Sequence, residues 1–169
     1  FLSRARNLAP GLSIESPEHL FVRDRAAGTT QIVDLSGTRE RSNAPASAPA
    51  ISDDGRIVSF TSAATNLSPL TSEGGIHVYV RDLAAGTTRV VDLTPAGAPG
   101  NGSGHNGVLS ALSADGRYAA FFSAADDLLG PGKDVNAAAD VFVRDLDPFV
   151  PPTAITATLT TDAESTEAG

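Results

Sequence analysis

Asp134, Asn136 and Asp140 stand at alternating and then longer spacing in the segment Gly132-Lys133-Asp134-Val135-Asn136-Ala137-Ala138-Ala139-Asp140. Carboxylate and amide oxygens are the donors that a hard cation such as Ca2+ prefers, so these three residues are the candidate metal ligands and Ca2+ the candidate cofactor. The same spacing also suits Asx-type turns, in which short polar side chains bond their own backbone and fix a loop. Aligned on the Val-Arg-Asp that follows, Asp134 corresponds to Ser13 and Thr71, Asn136 to Glu15 and Glu73, and Asp140 to His19 and His77. The oxygen-ligand pattern is therefore carried by one copy of three.

Other chemistry-bearing residues are fewer. His19 and His77 occupy equivalent positions in successive copies, and a shared ion would need them close together with a third ligand; the plainer expectation is a polar residue at a strand start. His105 lies in a Gly-rich loop. Gly102 to Gly107 formally matches Gly-x-Gly-x-x-Gly, but that motif holds phosphate where it opens a helix after a strand, and here a strand is expected to follow. Arg23-Asp24, Arg81-Asp82 and Arg144-Asp145 recur in every copy, which points to charge pairing between neighbouring repeat units, whereas catalysis needs one unit to depart from the rest. The sequence holds no Gly-x-Ser-x-Gly elbow, no His-Glu-x-x-His and no paired-carboxylate constellation. No catalytic residue and no organic cofactor is assigned. Asn66-Leu67-Ser68 and Asn101-Gly102-Ser103 are glycosylation sequons in a eukaryotic secretory host.

The elements that would position these residues are set by a repeat. HVYVRDLAAGTTRVVDL, from His77 to Leu93, matches HLFVRDRAAGTTQIVDL, from His19 to Leu35, at twelve of seventeen positions. VFVRDL begins a third copy at Val141. AISDDGRIVSFTSAA from Ala50 returns as ALSADGRYAAFFSAA from Ala111 with nine of fifteen positions identical, and its tail is met already as FLSRARNL from Phe1. Self-similarity at a period of about 60 residues decides the architecture. Four strands are expected in the complete unit: about Ala48 to Ser52, Arg56 to Ala63, His77 to Asp82 and Thr87 to Leu93. Asp54-Gly55 and Asp115-Gly116 read as two-residue hairpin turns, whose central residues both favour positive φ, and Ala85-Gly86 turns the chain between the last two strands. The second strand has Val58 and Phe60 on one face and Ile57, Ser59 and Thr61 on the other, so both faces suit burial between sheets. No helical periodicity is present.

An all-β chain of four-stranded antiparallel meanders, repeated with this period and covered on both faces, is expected to be a partial β-propeller. Ser-x-Asp-Gly-Arg-x-x-x-Phe stands as Ser52, Asp54, Gly55, Arg56 and Phe60 and again as Ser113, Asp115, Gly116, Arg117 and Phe121; with the following Val-Arg-Asp strand, it resembles the TolB-like, WD40-like PD40 propeller repeats of bacterial secreted and envelope proteins. The resemblance covers roughly residues 1–147. It implies a scaffold, a binding module or an accessory domain of an enzyme, and an extracellular, cell-surface or periplasmic setting. Residues 1–47 read as a partial blade, 48–108 as a full blade and 109–147 as a partial blade. The chain thus enters at a second strand and leaves after a third. It is expected to be a piece of a longer chain or to complete a ring with other copies, so that further blades lie in the same chain or in other copies. Residues 148–169 read as a Pro-rich linker followed by an acidic strand or tail, whose TDAESTEAG resembles the first strand of a Calx-β-type module.

The formal net charge is −8 and no basic patch stands out, which argues against nucleic acid, whose phosphates require Lys and Arg clusters. Hydrophobic residues make up 41% of the chain, with no apolar run long enough to span a bilayer as a helix. With no cysteine, disulfides and thiolate chemistry are excluded. In a meander, the turns after strands one and three lie on one face, which the tight Asp-Gly and Ala-Gly turns should leave trim. The longer loops, 9–18, 36–47, 68–75, 94–108 and 129–139, fall on the other, where recognition usually sits. The expected function is a non-enzymatic propeller segment of a larger secreted or cell-surface protein, binding a protein or glycan through this loop face. The alternative is an accessory propeller of a multidomain, peptidase-like hydrolase whose catalytic domain lies elsewhere.

Overall fold

The computed structural model describes residues 1–5, 7–8, 18–71, 75–102, 110–136 and 138–146. Ser13, Glu15, Glu73, His105, most of the Gly102–Gly107 run and the whole of 148–169 lie outside the described residues, as do parts of the loops 9–18, 68–75 and 94–108. The described chain is all-β and antiparallel, with a single 3-10 turn at Pro69–Thr71. Its ten strands form three sheets. β1 (Leu2–Ser3), β2 (His19–Asp24) and β3 (Thr29–Ile32) make the first; β4 (Ala46–Ile51), β5 (Ile57–Ser62), β6 (His77–Asp82) and β7 (Thr87–Val90) the middle one; β8 (Ser110–Leu112), β9 (Tyr118–Ser123) and β10 (Asp140–Asp145) the last. Each is a meander in chain order. Among the described residues, no sheet closes on itself.

Alternation of side chains places two apolar faces on the middle sheet. Val58, Phe60, Tyr79 and Val90 cluster with Leu20 and Val33 of the first sheet. Val78, Val80 and Val91 cluster with Ala119, Phe121 and Phe142 of the last. Thus Val58 to Ser62 of β5 are all buried, as a strand covered on both sides should be. Each sheet also stacks an aromatic pair across its central strands: Phe1 on Phe21 at 5.8 Å, Phe60 on Tyr79 at 5.5 Å and Phe121 on Phe142 at 5.7 Å between ring centroids. Cross-strand aromatic pairs of this kind pin strand register.

The turns depart from expectation in one respect. Gly55 (φ 72°) and Gly116 (φ 71°) take positive φ, but Asp54 and Asp115 do not. The loop is longer than a two-residue hairpin: the Gly55 amide donates to the Ser52 carbonyl, and the Ser52 amide to the Ile57 carbonyl. Asp54 stays at negative φ because its Oδ1 accepts from the Ser52 hydroxyl at 2.5 Å and the Arg56 amide at 2.9 Å. Only the glycine then has to adopt the left-handed conformation.

The fourth strand is also shorter than expected. After Val90 the Leu93 amide turns back on the Val91 carbonyl, as the Leu35 amide does on Val33 in the first sheet. These three-residue turns end the ladder and swing the intervening Asp34 and Asp92 inward.

Candidate binding faces and the buried polar groups

The inward swing makes a recurring polar core. His19 Nδ1 lies 2.7 Å from Asp34 Oδ2, and His77 Nδ1 lies 2.8 Å from Asp92 Oδ2. The other carboxylate oxygen accepts from the amide of Leu20 at 3.0 Å or of Val78 at 3.1 Å. Burial lifts both aspartates above the usual carboxylate range, against the opposing pull of the histidines. The histidines therefore do more than begin strands: each is half of a buried pair that ties the start of the third strand to the end of the fourth. Sequence reasoning missed Asp34 and Asp92, although the same His-to-Asp separation recurs in both copies. The two histidines are bound to separate carboxylates in separate sheets, which does not bring them to a common ion.

The recurrent Arg-Asp dipeptides split into two roles. Arg81, buried in the sheet interface, donates to the carbonyl oxygens of Leu35 at 3.3 Å and Ser36 at 3.2 Å in the first unit. Arg144 donates to the carbonyls of Val91 at 3.0 Å and Leu93 in the middle unit. Asp82 and Asp145 instead pair within their own sheets, with Arg56 and Arg117, each at 2.8 Å. The expected charge pairing between neighbouring units is thus replaced by guanidinium-to-carbonyl bonding, because an arginine fork matches the paired carbonyls exposed where the preceding chain leaves its ladder. Desolvation pushes both guanidiniums below their ordinary value, yet arginine stays charged.

On the face of the longer loops, successive units are latched by asparagine. The Asn43 amide donates to Asn66 Oδ1 at 3.0 Å, and the Asn43 side chain bonds the hydroxyl and amide of Thr65 at 2.8 and 3.0 Å. One unit later, Asn101 repeats the device on Asp126 and Asp127, at 2.6 and 3.0 Å. The loop leaving one sheet is therefore fastened to the loop after the second strand of the next. Asn66 and Asn101, the two sequon asparagines, are both engaged in these latches.

The opposite face is less trim than the short turns suggest. A groove of about 330 Å3 runs between the middle and last sheets, floored by Ile57 and Leu146 and walled by Asp54, Arg56, Asp115 and Arg117. Ser52 and Ser113 hydroxyls and neighbouring backbone amides hold Asp54 and Asp115 below the usual carboxylate range. Both are ionised, and Arg56 and Arg117 are already paired, so this wall offers no carboxyl ready to give up a proton at neutral pH.

The segment carrying Asp134, Asn136 and Asp140 is bonded as a loop brace. Asp134 Oδ1 accepts from the Asn136 amide at 3.2 Å, Asn136 Oδ1 from the Ala138 amide at 3.0 Å, and Asn136 Nδ2 donates to Asp140 Oδ1 at 3.3 Å. Asp140 Oδ2 is buried without a hydrogen-bond partner among the described residues. Among those residues, too, no group of three or more His, Cys, Asp or Glu side chains is placed to hold a metal ion.

No family model matches the chain. No curated protein matches it either.

Proposed function

We propose that the chain is a β-propeller segment of the PD40 type within a larger secreted or cell-surface protein, acting as a non-enzymatic scaffold or binding module through its long-loop face. The observation that supports this reading is the repetition of the Asn43 and Asn101 latches, which fasten the loop leaving one unit to a loop of the next. The buried titratable groups favour binding over catalysis. His19–Asp34 and His77–Asp92 are duplicated in geometry and buried, and duplication at equivalent positions is the mark of a structural role. The face would receive a protein or glycan. The test is a glycan-array and protein-array screen of the chain, followed by replacement of 94–108 and of 129–139 by Gly-Ser segments of equal length. Loss of the captured ligand in either replacement supports the loop face; unchanged capture in both rejects it.

A second reading at the same face is Ca2+ bound by Asp134, Asn136 and Asp140, and the buried, unbonded Asp140 Oδ2 favours it. Two of the three donors already serve backbone amides, so binding requires the brace to open. A ligand that binds only the folded state adds about 2.7 kcal/mol at 100 times its Kd. Melting in excess Ca2+ and in chelator should then differ, and the difference should vanish in Asp134→Ala; identical transitions dispose of this reading.

A further inference from the structure

The two asparagine latches are alike in geometry and unlike in chemistry. At the first junction Asn43 is followed by Ala44 and faces Thr65 and Asn66, neither of them charged. At the second, Asn101 is followed by Gly102 and faces two carboxylates. Its Nδ2 donates to Asp126 Oδ1 at 2.6 Å, its Oδ1 accepts from the Asp126 amide at 3.2 Å, and its own amide donates to Asp127 Oδ1 at 3.0 Å. Packing dictates the glycine. A Cβ at Gly102 would fall 2.7 Å from the backbone nitrogen of Ala125, and one at Gly100 would fall 2.8 Å from Leu128 Cδ2. The chain therefore lies too close to residues 125–128 to carry a side chain on either side of Asn101. The latch requires the asparagine and the close approach requires the glycine. Together they make Asn-Gly, the dipeptide in which a side-chain amide is attacked most readily, because glycine leaves the following backbone nitrogen unhindered.

We propose that Asn101 is a site of spontaneous deamidation guarded by its own latch, and that its conversion to aspartate or isoaspartate releases the loop-face junction between the middle and last sheets. In the reaction the Gly102 nitrogen gives up its proton and bonds to Asn101 Cγ, the Cγ–Nδ2 bond breaks, and ammonia leaves. Water from solvent then opens the succinimide at either carbonyl, giving aspartate or isoaspartate. Asn101 is exposed, so water reaches it. While the latch is closed, Asp126 holds both ends of the side-chain amide and restricts the rotation that attack requires. Local opening of the junction frees it. The product has no donor for Asp126 Oδ1 and sets a carboxylate against it, with Asp127 alongside, so like-charge repulsion opposes reclosure. Asn43 has neither the following glycine nor a facing carboxylate, so of the two latches only the second opens one way.

The experiment is peptide mapping by mass spectrometry of the full chain, aged at mildly alkaline pH in buffer and in guanidinium chloride. Mapping separates Asn101 from Asn106-Gly107, the other Asn-Gly of the sequence. Product should accumulate at Asn101 in the folded chain about tenfold more slowly than in the unfolded one, because reaction waits on local opening. Asp126→Ala, which removes one of the two bonds holding the amide, should speed it several-fold. No product in the folded chain, equal rates in the two states, or a rate untouched by Asp126→Ala overturns the proposal. Release is read by hydrogen exchange. Asn101→Asp should speed exchange across 125–128 about tenfold, and Asp126→Asn added to it should restore protection by returning a donor. Asn43→Asp should disturb 64–67 less, since the Thr65 hydroxyl can donate where it now accepts. Parent-like protection in Asn101→Asp, or no rescue by Asp126→Asn, overturns release by repulsion. The proposal stands on this junction alone, and its failure leaves the ligand-capture test of the loop face untouched.

Discussion

The guanidinium of Arg81 lies 3.2 Å from the carbonyl oxygen of Ser36, just beyond the last strand of the preceding sheet. Its Nη1 also serves Leu35 and the hydroxyl of Thr88, while its Nε finds no partner among the described residues. Removing the side chain takes the charged donor from these carbonyls, leaving Leu35 O with the Thr88 hydroxyl and Ser36 O with the Arg39 amide, and a charged hydrogen bond contributes about 1.5–3 kcal/mol. Arg81→Ala should lower the unfolding free energy by about 2–3 kcal/mol in denaturant melts. Arg23 holds the same strand position on the exposed face of the first sheet, and Arg23→Ala should change stability by less than about 0.5 kcal/mol. Equal losses in the two variants would contradict an interfacial role for the arginine.

Asp82 sets the acid limb of stability. Arg56, together with the amides of Ala84 and Ala85, holds its carboxyl below the usual carboxylate range. A carboxyl with a depressed folded pKa contributes stability that is complete above its unfolded value, about 3.9, and is lost as pH falls through the lower folded value. Arg56 is exposed, so the pair is screened and its net contribution is small. Asp82→Asn should therefore melt slightly below the parent at neutral pH, and the two melting curves should converge as pH drops below about 4. A difference that persists undiminished in acid would place the aspartate's contribution in its turn-capping bonds alone.

The strands were legible because the repeat exposes them. The period-2 pattern of His77 to Asp82 matches β6 residue for residue, and the burial of β5 on both sides follows from its two small or apolar faces. What escaped was the reach of side chains across the fold. Asp34 and Asp92 read as polar interruptions of a strand until a three-residue turn carries them inward. Asn43 and Asn101 occupy equivalent loop positions in successive copies, a signal in the sequence, but their partners at Thr65 and Asp126 lie in the next unit. The Arg-Asp dipeptide was recognised as structural, yet local spacing cannot tell a carboxylate partner from a carbonyl one. The Asp-Gly turns misled because Asp54 bonds its own loop instead of adopting positive φ.

Asp92 anchors the buried pair in the middle sheet. Alanine there strands both His77 Nδ1 and the Val78 amide, and breaking a buried pair from one side costs about 3 kcal/mol or more. Asparagine keeps an acceptor for Val78 and supplies a donor to the ring nitrogen, so Asp92→Asn should lose only about 1 kcal/mol. Chemical denaturation of the two variants checks the order. Asp34→Ala should behave as Asp92→Ala does, since His19 and Leu20 stand in the same relation to it.

Tyr79 governs the alkaline limb. Its hydroxyl donates toward Thr71 at 3.0 Å and Ala64 at 3.2 Å in the core, and burial pushes its pKa up to about 12. A folded pKa above the unfolded value of about 10 means the folded state holds the proton more tightly, so stability falls as pH rises between those values. Phenolate absorbance should show a step near pH 12 that disappears in Tyr79→Phe, and the phenylalanine variant should resist unfolding by base better than the parent relative to its neutral stability. A phenolate step at the ordinary tyrosine value would mean that Tyr79 is solvated.

Gly55 and Gly116 form the same turn in successive units, but their surroundings differ, and this makes them a test of how the sheets pack. Both have φ near 70°, so a side chain at either strains the backbone by about 1–2 kcal/mol. A Cβ at Gly55 meets nothing within 4 Å, whereas one at Gly116 falls 2.9 Å from Ile57 Cγ1 and 3.2 Å from Ser52 Cβ of the preceding sheet. Gly55→Ala should cost the strain alone, and Gly116→Ala should cost about 1–3 kcal/mol more, because it also overpacks the junction. The excess should shrink in a Gly116→Ala, Ile57→Ala double variant, where loss of Cγ1 removes the closest contact. Additive losses in the double variant would show that the turn of the last sheet does not press on Ile57.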